Sequence, residues 1–69
     1  MRIKREALIL ALAEKGYTFS DLAAVAGVSR ATLSYINNGK SCRTYVAGRI
    51  ARALGKNVSE LIEKELPRQ

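Results

Sequence analysis

The stretch "AAVAGVSRATLSYINNGK", residues 23–40, decides the fold. Two short apolar patterns meet at Gly27 with almost nothing between them, and the second is built from Ser, Thr, Asn, Tyr and a single Arg. Ser29 stands where a helix N-cap belongs, which predicts a helix over Arg30–Asn37. It closes in "NNGK", where Asn38 or Gly39 takes positive φ. Winding that helix at about 100° per residue sets Ser29, Leu33, Ile36 and Asn37 on one side. Leu33 and Ile36 are its core anchors. The opposite side carries Ala31, Ser34, Tyr35 and Asn38, flanked by Arg30 and Thr32. A solvated face favours Glu, Lys and Gln, which also favour helix; small polar residues weaken it. Their presence predicts a surface that something approaches closely.

Working outward, every neighbouring pattern is also a short helix. The first spans Ile3 to Lys15 and ends at Gly16 as a left-handed cap. Thr18 caps a second over Phe19–Ala26, with Asp21 completing a capping box, and Gly27 closes it. After the loop "KSCR", Thr44 caps a fourth helix that ends at Gly55. Asn57 with Glu60 forms another capping box and opens a fifth, which Pro67 forbids from extending. No period-two alternation runs over a useful length. The expected fold is all-α: one domain over residues 1–69, a compact bundle of five short helices without repeats.

Composition narrows the functional classes. The 69 residues hold no His and a single Cys, so a metal cluster and an intramolecular disulfide are not expected, nor any cofactor or small-molecule ligand. Cys42 reads as a reduced thiol of a cytoplasmic protein. The longest apolar run, Ala7–Ala13, is far too short for a membrane span. Twelve Lys and Arg oppose six Asp and Glu, a net +6. No acid lies between Asp21 and Glu60, a stretch holding Arg30, Lys40, Arg43, Arg49, Arg52 and Lys56. A one-signed middle points to a polyanionic partner, nucleic acid ahead of membrane surface. A DNA major groove also suits the third helix, since it admits one helix whose N-terminal residues face base edges.

With these residues in place, "YTFSDLAAVAGVSRATLSYINNGK" resembles the helix-turn-helix of the phage repressor/Cro-type (XRE) family of DNA-binding proteins. Ala23, Gly27 and Leu33 fall at that family's spacing, and Leu22, Val28 and Ile36 fill its other apolar positions. "NNGK" and "ARALGKNVSELI" resemble its later loop and last two helices, so the likeness covers roughly Leu8 to Ile62. The resemblance implies a lambda repressor-like domain, with the helix-turn-helix over residues 18–38 and a recognition helix over 30–37 reading double-stranded DNA.

It also implies roles for single residues. Ser29, Arg30 and Ala31 lie where the recognition helix first meets bases, with Ser34 on the same outer face and Tyr35 a turn further on. The Arg30 fork suits the O6/N7 edge of guanine, and Ala31 suits a thymine methyl. The Tyr35 hydroxyl suits a base edge or a phosphate. Thr18 lies where the second helix abuts a phosphate. Asn38, Lys40 and Arg43 resemble backbone clamps; the alternative for each is a solvated loop residue. Two departures stand out. Phe19 replaces a customary Gln, leaving a packing role or apolar contact with the sugar-phosphate surface. Leu12 and Asn37 replace a customary buried Arg–Glu pair, a double loss that leaves no uncompensated charge.

The first helix carries a surplus apolar face. Leu8, Ala11 and Leu12 form the stripe a small bundle needs, yet Ile3, Ala7 and Leu10 form another nearly opposite. That surplus, with Val58, Leu61, Ile62 or Leu66, is expected either to make a homodimer or to be covered by the fifth helix within a monomer. The whole reads as a small Cro-like repressor binding a palindromic operator as a dimer, with RNA polymerase or another protein as a further contact. The alternative is an antitoxin-like regulator whose acidic last helix (Glu60, Glu63, Glu65) binds a protein. Enzymatic function is not expected: the lone thiol lacks an imidazole partner, and Asp21 serves as a cap. Cys42 as a redox sensor would require the neighbouring Arg43 to favour thiolate.

Overall fold

A computed structural model describes residues 1–63 and contains, among them, five helices in the order α1 (Arg5–Lys15), α2 (Phe19–Ala26), α3 (Arg30–Asn37), α4 (Thr44–Leu54) and α5 (Val58–Leu61). The bounds of α2 and α3 coincide with those expected from sequence, because both are held by local chemistry. Thr18 Oγ1 accepts the Asp21 N–H at 3.1 Å, and Asp21 Oδ2 accepts the Thr18 N–H at 2.9 Å, so the first capping box is complete. Ser29 Oγ accepts the Thr32 N–H at 3.0 Å at the head of α3. Gly27 adopts φ 74° after α2, and Gly39, not Asn38, takes the positive φ (91°) after α3.

Three boundaries differ from expectation. Helix α1 starts at Arg5, two residues later than Ile3. Ile3 is instead extended and buried, paired antiparallel with Ile62. Lys4 N–H donates to the Leu61 carbonyl at 2.6 Å and Glu63 N–H to the Arg2 carbonyl at 2.9 Å. Burying Ile3 in this short pairing satisfies more of the chain than one further helical turn. Helix α4 is capped by Arg43, not Thr44: Arg43 is extended, and its carbonyl accepts from Val46 and Ala47 at 3.1 Å. The second capping box does not form. Asn57 caps α5 with its backbone, receiving the Glu60 N–H at 2.9 Å, and α5 stops at Leu61 because Ile62 turns out to pair with Ile3. Pro67, Glu65 and Leu66 lie outside the described residues.

The core is a single apolar cluster. Helix α4 lies against α1, α2 and α5, while α3 packs on α2. Leu8, Leu22, Leu33, Ile36 and Ile50 are fully buried, and Ala26, Ala47 and Ala51 keep the helix contacts close. An exposed ion pair lies at the edge: Lys56 Nζ is 2.9 Å from Glu14 Oε1, and that carboxylate raises the Lys56 pKa above its ordinary value. Leu12 is buried as expected. Its partner in the customary pair's place, Asn37, is only half-buried, yet its Oδ1 is enclosed without a hydrogen-bond partner. Removal of the charge pair is therefore not free of polar cost at that position.

Leu22→Ala, cutting a fully buried side chain where α2 meets its neighbours, is expected to lower unfolding free energy by about 2–5 kcal/mol, measured by urea denaturation. A loss below about 0.5 kcal/mol, typical of a surface site, would contradict this placement of the core.

Candidate nucleic-acid interface

Helix α3 sorts its residues as the winding argument requires. Leu33 and Ile36 are sealed inward, while Ala31, Ser34 and Tyr35 are exposed, Tyr35 to 61%. Their spacing lays them along one stripe of the helix, with Asn38 continuing it at the C-terminal end. Arg30 is exposed at the first helical position and forms no ion pair among the described residues, so its guanidinium fork is free. Ser29 is exposed too, but its hydroxyl is already engaged, with the Thr32 N–H and with Thr32 Oγ1 at 2.9 Å. That oxygen holds the helix head first; a base contact must share it.

The flanking candidates fall on three other segments. Thr18 is exposed at the N-terminus of α2, its hydroxyl occupied by the capping box. Phe19 is half-buried and packs against the core cluster, with part of its ring left accessible beside Thr18. Lys40 is exposed, with its backbone N–H donating to the Tyr35 carbonyl at 3.0 Å, so it follows the C-terminal end of α3 closely. Arg43 is exposed at the head of α4. Along the chain, exposed cations thus flank α3: at its own first position, in the loop behind it and at the head of the next helix.

One residue that the sequence reading counted as a cation but gave no site role connects these parts. Arg49, on the exposed side of α4, donates from Nη1 to the Gly27 carbonyl at 3.3 Å. Its guanidinium carbon lies 5.7 Å from the centroid of the Tyr45 ring, one turn earlier on the same helix. The Tyr45–Arg49 spacing is readable from sequence as an i,i+4 pair on a helix. The reach to Gly27 is not, since it depends on how α4 crosses α2.

Comparison with known proteins bears on the same surface. The sequence model of the Cro/C1-type HTH DNA-binding domain matches residues 8–65. No curated protein matches the chain. Among solved structures, native PhpD with cadmium atoms superposes on the whole chain with a TM-score of 0.80 at 23% identity, a likeness of fold. The chain spans 15% of that structure's length.

Cys42 follows α3 but is not activated. It is half-buried, and burial pushes its thiol pKa up; the N-terminal ammonium, which donates to the Cys42 carbonyl at 3.0 Å, only partly opposes this. Arg43 is not what governs the thiol, so the condition for a thiolate sensor is not met. A raised pKa leaves less thiolate at a given pH. Iodoacetamide at pH ~8 should therefore alkylate Cys42 severalfold more slowly in the folded chain than in urea. Equal rates would contradict the burial.

Proposed function

The chain belongs to the Cro/C1-type helix-turn-helix DNA-binding family, and on that premise we propose that it is a sequence-specific regulator that reads a palindromic operator as a homodimer. The observation that carries this reading is the outer stripe of α3, Ala31, Ser34, Tyr35 and Asn38: uncharged and exposed, on a helix whose other side is sealed into the core. In the proposed complex, α3 enters the major groove N-terminus first. Arg30 reads a guanine edge, Ala31 meets a thymine methyl, and Ser34 and Tyr35 extend the contact along the groove. Ser29 contributes through what its capping duty leaves free. Thr18 and the α2 backbone meet a phosphate on one side, with Phe19 alongside as apolar support; Asn38, Lys40 and Arg43 clamp the other. No residue is assigned a catalytic role.

A single domain of this size offers one half-site, too little buried area for specific affinity at physiological salt. Two copies would set their recognition helices about 34 Å apart in successive major grooves. The structure narrows the surface available for pairing. Ile3 and Leu61 are buried, and Ala7, Val58 and Ile62 are half-buried against the core. What remains on α1 is Ile9 at 45% exposure and Leu10 at 64%, adjacent apolar residues bordered by Arg5 and Glu6. The proposed dimer is built on these two. Repression by occupying a promoter needs nothing further from the chain, and contact with polymerase would use the surface left open beside the DNA. The antitoxin-like alternative has less support: Glu60 sits on α5, but Glu63 falls in the extended segment beyond it.

Selection from randomised duplexes should return a two-fold symmetric motif. Arg30→Ala should then cost about 1–3 kcal/mol on that motif and relax preference at one base pair. A variant that loses no more on the motif than on random duplex would remove Arg30 from base reading. Lys40→Ala and Arg43→Ala should weaken all duplexes alike and flatten the salt dependence by about one unit of slope each. Sedimentation at micromolar concentration should show a dimer that Leu10→Glu converts to monomer; a wild-type monomer at every loading would sink the pairing.

A further inference from the structure

We infer that Arg49 is a positioning residue for sequence reading: through the Gly27 carbonyl it fixes the turn that joins α2 to α3, and so sets the pose in which α3 meets a duplex. The inference rests on the DNA-binding reading above and adds to it a residue outside the helix-turn-helix.

Three observations converge on this role. First, a helix ends with carbonyls that have no partner within it and with partial negative charge, which a cation stabilises. Neither α2 nor α3 has a basic residue in its last turn. Arg49 supplies the cation from α4 instead, with Nη1 3.3 Å from the Gly27 carbonyl. Second, the guanidinium is restrained before it reaches the turn. It lies over Tyr45, and the same helix is anchored by Ala47 and Ile50, both fully buried. Third, the turn is held from below by Val28, which packs on the core, and has few polar ties to the rest of the bundle. Gly27 and Val28 donate their N–H groups back to Ala23, within α2, and Arg49 makes the sole side-chain hydrogen bond to the turn from another helix among the described residues. Ser29 and Arg30 follow Gly27 directly, so any swing of the turn displaces the residues assigned to base edges.

The bond is exposed, so its contribution to overall stability is small. Its consequence is angular. A planar fork that both stacks and donates is not reproduced by the flexible ammonium of lysine.

The test compares wild type, Arg49→Met and Arg49→Lys on the selected operator and on random duplex over a range of salt, well below each variant's melting temperature. Arg49→Met is expected to lower the operator-to-random affinity ratio by about tenfold, with the salt slope on random duplex unchanged. Arg49→Lys should recover part of that ratio, and it carries the test if the Met variant does not fold. An unchanged ratio in both variants would overturn the inference. So would equal losses on both duplexes with the slope reduced by about one, which would make Arg49 a phosphate contact. A wild-type chain that prefers no duplex would overturn the DNA-reading proposal itself, and this inference with it.

Discussion

An eight-residue helix has too few internal hydrogen bonds to stand alone in water. Helix α3 exists because Leu33 and Ile36 are buried against the rest of the bundle, and everything proposed for this chain depends on that attachment. Burial of two side chains on one side fixes the rotation of the helix about its own axis. It therefore decides that Ala31, Ser34 and Tyr35 face outward. Ser29 at the head and Gly39 at the tail close the helix at both ends, so few freedoms remain: chiefly its tilt, set by the turn at Gly27.

The charge pattern follows from the same geometry. Cations cluster around α3 on the loop behind it and on α4, while the acid nearest in sequence, Asp21, is consumed by the capping box at Thr18. The ion pair between Lys56 and Glu14 lies at the exposed joint of α1 with the α4–α5 loop, where it adds little to stability and keeps the Glu14 carboxylate on that side. A surface of one sign is unfavourable for an isolated small domain, since like charges repel. A polyanion relieves that repulsion and releases counterions, which couples binding tightly to salt.

Much of this was legible in the sequence, for an identifiable reason. Local signals decided α2 and α3: Thr18 with Asp21, Ser29, and the glycines at 27 and 39 act within a few residues of themselves, so their reading needs no tertiary knowledge. The errors came where a distant segment competed. Ile3 fits a helical stripe by spacing, yet it is drawn into pairing with Ile62, which shortens α1 and α5 together. Asn57 with Glu60 has the capping-box pattern, but the short α5 is capped by backbone alone. The exposed apolar surface of α1 differs for the same cause: Ile3 is buried and Ala7 half-buried, which leaves Ile9 and Leu10. Around α3, the exposure of the expected residues and the capping duty of the Ser29 hydroxyl were readable; the reach of Arg49 to Gly27 was not, because it depends on how α4 crosses α2.

The most direct test of the whole account follows backbone amide resonances during titration with double-stranded DNA at low ionic strength. Shifts should concentrate at the head of α2, along the outer stripe of α3 and in the loop through Lys40 to Arg43, and leave the α1–α5 side nearly unchanged. Resonances of α3 that stay still while the opposite side responds would contradict it.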